Sequence, residues 1–224
     1  MNSRTSTFTM PHANTVMVRT VLSVQLAFCM LNYTVTAQQL LDRVLARIDT
    51  TAITLTDVKA AVGLGVVDAG DGGDAQKAAV EQLIERDLLL KEVERFPPPE
   101  PATPDVDRQA AAYMAHAGAG LQALMQSTGI DERAIRQMAR DTLRIGAYLD
   151  QRFGTAAIVT DDEVEQYYTA HPAEFTRNGR LQPLASVDAE ARAAASAARR
   201  QTTIGQWIRD LRGRAGVVEV NAGG

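Results

Sequence analysis

The sequence predicts a mainly α-helical fold, a multi-helix domain with one small β pairing between the first and last strands. Three observations carry this. Alanine is abundant while aromatic residues make up only 5% of the chain, a balance suited to helices packed through small side chains rather than to a β-sandwich. Apolar residues recur at helical spacing in several long segments, and clear capping signals mark where those segments restart. Two short apolar runs, around Val44–Ile48 and Val217–Val220, stand near opposite ends of that helical region. A lone short strand leaves its backbone groups unpaired, so the two are expected side by side.

In order along the chain, Val44, Ala46 and Ile48 alternate with Arg43, Leu45 and Arg47, a period-two pattern that suits a strand. Asp49-Thr50-Thr51 can turn, Ile53 and Leu55 give a second strand, and Thr56 is the expected N-cap of the first helix, with Asp57 in its first turn. That helix stops near Gly63–Asp74. Asp68, Asp71 and Asp74 lie there among glycines, but the spacing misses the D-x-D-x-D-G calcium pattern and no glutamate closes it, so the segment reads as a solvated loop. Residues 75–95 form the clearest helix, with Val80, Leu83, Ile84 and Leu88 on one face; Leu88-Leu89-Leu90 widens that face and predicts burial on more than one side.

FPPPEPATP ends this helix, and Thr103 is the expected cap of the next, with Pro104 at its first position. Gly118 and Gly120 are expected to kink or split that helix; His116 within it has no partner at metal-ligand spacing. Asp131 caps the following helix, with Ile130 stapled onto Ile135; Ile135, Met138, Leu143, Ile145, Leu149 and Phe153 then keep helical spacing. Thr160 and Glu163 form a capping box, with Val159 and Val164 as its staple. The acids of this segment are explained by capping and not by catalysis. A short polar corner, TAHPAEFTRNG, leads to a last long helix over 187–213, marked by Ala193, Ala197, Ile204, Trp207, Ile208 and Leu211.

The first 37 residues differ in kind. They contain Arg4 and Arg19 and no acid, then TVLSVQLAFCMLNYTVTA, an apolar run ending Val35-Thr36-Ala37. This pattern predicts a secretory signal peptide over 1–37, cleaved after Ala37, with translation starting at Met1 or Met17. The run is short and interrupted by Gln25 and Asn32, against a permanent membrane span. Cys29 follows Leu26-Ala27-Phe28, which resembles a lipoprotein box except for bulky Phe28. As Cys29 is the only cysteine, the mature chain 38–224 would have no disulfide or thiol chemistry. Without Arg4 and Arg19, 21 of the 23 basic residues face all 27 acidic ones. With no basic stripe or stacking platform, nucleic-acid binding is not expected.

The order and spacing of DRVLARIDTTAITLTDV, AVEQLIERDLLLKEVER, GIDERAIRQMARDTLRIGAYLDQRF, IVTDDEVEQYYTAHPAEF and IGQWIRDLRGRAGVVEV resemble the N-terminal, peptide-binding domain of SurA-type periplasmic chaperones, relatives of the parvulin prolyl isomerases. The resemblance spans nearly all of residues 40–220. In many relatives a parvulin domain follows the segment matching Tyr167–Phe175; here only TRNGRLQPLASVDAE stands between the two flanking helices, and the His-Ile-Leu strand and G-G-x-[LM]-G turn of that domain are missing. The resemblance therefore implies a periplasmic holdase for unfolded polypeptides, including outer-membrane proteins, with no inserted isomerase domain, no cofactor and no catalytic residue. Tyr113, Met114, Leu121, Leu124 and Met125 are the candidate peptide-binding residues, since methionine adapts to varied partners, although large apolar side chains on a helix are commonly core. A prolyl isomerase, or a degenerate relative of one, and an adaptor docking onto one envelope partner are the alternatives. No sequence feature specifies an oligomeric state.

Overall fold

The computed structural model describes residues 42–70, 72, 74–154 and 158–220. The expected signal peptide, its cleavage after Ala37, and Cys29 lie outside the described residues, as does Asp71. The described chain is mainly helical, as expected, with one three-stranded sheet.

β1 (Val44–Ile48) and β2 (Thr51–Thr54) are antiparallel, with Ile48 opposite Thr51 and Ala46 opposite Ile53. Their two-residue turn begins at Asp49, whose φ is 54°. That conformation is uncommon outside glycine, and here it is held from several sides. The Asp49 N–H donates to the Gly216 carbonyl, and the Gly216 N–H donates back to Asp49 Oδ1, both at 3.2 Å. Lys91 Nζ donates to Asp49 Oδ2 at 2.9 Å and to the Ile48 carbonyl at 3.2 Å. β5 (Val217–Glu219) pairs antiparallel on the other side of β1, with Arg47 opposite Val218. The expected pairing of the first and last strands is thus present among the described residues, and β1 is the middle strand of the sheet.

Helix α1 (Leu55–Gly63) starts two residues earlier than the sequence suggested. Thr54, not Thr56, is its N-cap, in a complete capping box with Asp57. The physical reason is that β2 runs up to Thr54, where the backbone is still extended as an N-cap requires. The chain then folds back through Gly65, at φ 67°, under the ring of His116, which a Cβ on Gly65 would approach to 2.9 Å. Asp68 closes this turn locally by accepting the Gly70 N–H at 2.9 Å.

Helix α2 (Ala75–Arg95) is buried on two sides. One face places Val80, Ile84 and Leu88 against Leu45, Ile48 and Ile53 of the hairpin and Leu211; Leu89 and Val93 face Ile145 and Tyr148 in a second cluster. Helix α3 (Thr103–Ala117) begins at Thr103 itself, with Ala102 as N-cap and no side-chain cap. Pro104 already makes the first turn favourable there. Gly118–Gly120 form a single 3₁₀ turn that splits off α4 (Leu121–Thr128), which ends at Gly129 with φ 72°. Helix α5 (Glu132–Phe153) is capped by Asp131, whose Oδ1 accepts the Ala134 N–H at 2.8 Å.

Helix α6 (Asp161–Ala170) carries the expected capping box of Thr160 and Glu163. The polar corner after it contains a minimal hairpin, β3 (Thr176–Arg177) and β4 (Arg180–Leu181). Its turn residues Asn178 and Gly179 both have positive φ, 51° and 75°, the geometry that an Asn-Gly hairpin turn favours. Helix α7 (Leu184–Arg214) starts before residue 187. Its buried line through the first half is Val187, Ala191 and Ala195, while Ala193 and Ala197 are exposed. The alanine-rich composition gives no contrast between faces, so only packing against Val164 and Phe175 selects one. Further along, Trp207 packs against Tyr148 and Phe153, with ring centroids 6.0 and 5.2 Å away.

Candidate functional site

An open groove of about 270 Å³ lies between β2, α1, α2 and α5. Its apolar wall comes from Ile53, Ala61, Val66, Leu83, Leu90 and Met138, and its polar lining includes Asp57, Arg86, Asp87 and Asp141. Each side chain arrives through local rules already described. Ile53 belongs to the edge strand, Leu83, Arg86, Asp87 and Leu90 share one side of α2, and Met138 and Asp141 are adjacent on α5.

Arg86 is tied into a network beneath this groove. Its two terminal nitrogens donate to Thr142 Oγ1 and to the Met138 carbonyl, each at 2.8 Å. Thr142 Oγ1 in turn lies 3.0 Å from the Met138 carbonyl and 2.7 Å from the Tyr113 hydroxyl. Burial lowers the Arg86 pKa from its ordinary value, but a guanidinium stays charged throughout the accessible range. Burial also pushes the Asp141 carboxyl above its usual range, against the opposing influence of Arg86 and a bond from Gln137. Asp87 Oδ2 is buried with no aligned hydrogen bond, though Lys91 Nζ is 3.2 Å away as an ion-pair partner.

These directions predict the pH dependence of stability. Glu85, like Asp141, is raised by burial, so each binds its proton more tightly in the folded state than in the unfolded chain. Their effect is a gain in stability as pH falls from neutral towards the ordinary carboxylate range. Glu81, held down by its bond from Arg212, and Asp49, held down by Lys91, act oppositely. Their stabilisation is present above the unfolded pKa and is lost as pH falls through the folded value. The melting temperature should therefore pass through a maximum at mildly acidic pH and then drop. Calorimetry across a pH series checks this, and Asp141→Asn should flatten the rising arm.

The five residues expected from sequence are not the ones lining this groove. Tyr113 is interior, 6% exposed, with its hydroxyl on Thr142. Met114, Leu121 and Leu124 are half-buried against the same cluster as Tyr113, Leu64 and Ile135; Met125 is half-buried outside it. Leu124 covers Gly63, where a Cβ would meet its methyl groups at 2.8 Å. Val66 and Met138 border both this cluster and the groove, so the two surfaces adjoin. Sequence reasoning put Ile53 in a strand and Leu83 and Met138 on apolar helix faces but passed over Arg86 and Asp141. The available signal was a charge inside an otherwise apolar helix face, as in Leu83-Ile84-Glu85-Arg86-Asp87-Leu88.

The corner after α6 is also built. The Tyr167 ring stacks on His171 with centroids 4.0 Å apart, and its hydroxyl donates to the Glu174 carboxylate at 3.1 Å. His171 Nδ1 lies 2.9 Å from the Tyr167 carbonyl, and the Tyr168 hydroxyl donates to the Gln182 carbonyl at 2.6 Å. Among the described residues no group of three or more His, Cys, Asp or Glu side chains is gathered for a metal ion, and no helix is long and apolar enough to cross a membrane.

Fold and groove define a mainly helical domain with an open apolar cleft beside a small sheet. A family model described as a PPIC-type PPIase domain matches residues 159–223, the stretch from the start of α6 past β5. No curated protein and no solved structure matches the chain. The match supports a link to the parvulin-related proteins at a coarse level. It also corrects the sequence reading in part: the match includes the TRNGRLQPLASVDAE stretch, where an isomerase domain was expected to be missing, and it weakens the expectation that the chain is not an enzyme. The sequence reading looked for an inserted segment between the helices, whereas the match runs along the helices themselves.

Proposed function

We propose that the chain is a periplasmic chaperone that holds unfolded or extended polypeptide, with outer-membrane proteins among its clients, and that it does not speed proline isomerisation. The observation that carries this reading is the open apolar groove, adjoining the half-buried patch of Met114, Leu121 and Leu124, with Met125 nearby and Tyr113 supporting it from beneath. Exchangeable apolar contact offers affinity without discriminating ground from transition state. The uncatalysed prolyl barrier is about 18–20 kcal/mol, and lowering it needs a shaped site around that bond.

The second reading is a prolyl isomerase, favoured by the PPIC-type match. On that reading, the residues that stand closest to acid–base chemistry in the matched stretch are Tyr167, His171 and Glu174. Two assays separate the readings. The expected result is suppressed aggregation of an unfolded β-barrel protein by residues 38–224, with no acceleration of cis-to-trans conversion in a proline tetrapeptide. Acceleration abolished by His171→Ala would establish the isomerase instead. Failure to suppress aggregation would remove the holdase and leave an adaptor for a single partner.

A further inference from the structure

The sheet edge beside the groove has a specific vacancy in its hydrogen bonding. The bonds from Asp49 to Gly216 and from Val220 to Leu45 show that the odd-numbered residues of β1 face β5. Ala46 and Ile48 therefore bond to Ile53 and Thr51 of β2, and by the alternation of an antiparallel ladder the N–H and C=O of Ala52 point away from β1. β2 is an edge strand, and Thr51, Ala52 and Ile53 all line the groove. An open strand edge next to apolar pockets is the arrangement that accepts an added strand.

The charges beside it favour one kind of strand. Arg86 directs its terminal nitrogens to Thr142 and Met138. On the same helix as Asp141, Arg140 pairs with Glu100, while the Arg144 Nε, buried without a hydrogen bond, lies 3.9 Å from the same carboxylate; Lys91 is shared between Asp87 and Asp49. Asp141 has Gln137 as its hydrogen-bond partner, and Asp87 Oδ2 has no aligned one. Asp57 is spent on the α1 cap. Facing the groove are thus two carboxylates whose neighbouring cations are committed elsewhere or shared.

We infer that the groove takes an extended polypeptide segment that pairs with the β2 edge at Ala52, lays an apolar side chain on Ile53, Leu83 and Met138, and sets a lysine or arginine against Asp87 and Asp141. This rests on the holdase reading for its ligand class and adds the binding mode and the sequence preference. Main-chain pairing supplies affinity for any extended chain, and the carboxylates supply the selection for a basic residue.

The test uses fluorescent short peptides alternating valine and threonine, with lysine, glutamate or norleucine at the centre, and residues 38–224 as the receptor. By anisotropy, the lysine peptide should bind about tenfold more tightly than the glutamate peptide, the size of one charge pair in a partly desolvated site. Asp87→Asn with Asp141→Asn should shrink that ratio to about twofold or less. Backbone N-methylation of the peptide should weaken binding, and so should Ala52→Pro, which an edge strand tolerates because that N–H is unpaired. Equal binding of lysine and glutamate peptides, or indifference to N-methylation, overturns the inference. Because peptide changes leave the protein intact, a misfolded variant does not decide the outcome. Aggregation suppression without a lysine preference sinks this inference and leaves the holdase standing; the preference without suppression does the reverse.

Discussion

Phe175→Ala should cost about 3–5 kcal/mol, the usual range for removing a fully buried phenylalanine. Phe175 is 1% exposed. It fills the centre of a small cluster with Val164 of α6 and Val187, Ala191 and Ala195 of α7, and its ring meets Tyr168 at 5.2 Å and Tyr167 edge-on at 6.4 Å. The residues around it on α7 are mostly alanines, too short to close the gap, so the cavity term should be near its full value. The damage should also be local. None of the buried residues of this cluster belongs to the other three, and Trp207 reports on a different part of α7. Hydrogen exchange should therefore rise first in α6 and in the hairpin after it, at temperatures where Trp207 fluorescence remains native. A single unchanged transition for both probes would contradict this independence.

Ending the chain at Arg214 should be the other large loss, on the order of 3 kcal/mol from several net hydrogen bonds and the burial they protect. Without β5, the outward groups of Leu45 and Arg47 lose their partners, and the Asp49 turn loses both bonds to Gly216. Arg212, which binds Glu81 of α2 and lies 2.7 Å from Glu219, keeps only the first of these partners. Leu45 and Ile48, buried beside Leu211, Ala215 and Val217, lose part of their cover. The effect should appear as a clearly lower melting temperature with helix content nearly kept, because the pairing closes a sheet and does not nucleate the helices. An unchanged melt would mean that the Arg212–Glu81 bond and the packing of Leu211 and Trp207 hold the end of α7 without β5.

Both predictions show where sequence stops being informative. The capping box at Thr160 and Glu163, the Asp131 cap, the break at Pro97–Pro99 and the two-sided face of α2 were legible, since they depend on residues within a few positions of one another. So was the β1–β5 pairing, because short apolar strands need partners and few were on offer. Thr54 displaced Thr56 as a cap because β2 ends at Thr54, so that Leu55, expected in the strand, instead starts the helix. The buried line of α7 through Ala191 and Ala195 was not legible, as a run of alanines has no polar side to read. Phe175, a lone aromatic in a polar corner, carried no periodic signal that marked it as the centre of a cluster.

The candidate site divides the same way. The sequence by itself determined a helical chain with restarts at known places, a small sheet closing its ends, and a set of apolar faces that had to meet something. Only the tertiary structure decided that Tyr113 turns inward to Thr142, that Ile53, Leu83 and Met138 face one another across an open groove, and that Ala52 presents its free backbone groups beside them. The reason is physical. Caps and periodicity are settled by neighbours along the chain, whereas a groove is space left between β2, α1, α2 and α5, whose lining runs from Thr51 to Asp141, and its position follows from how close those elements can pack.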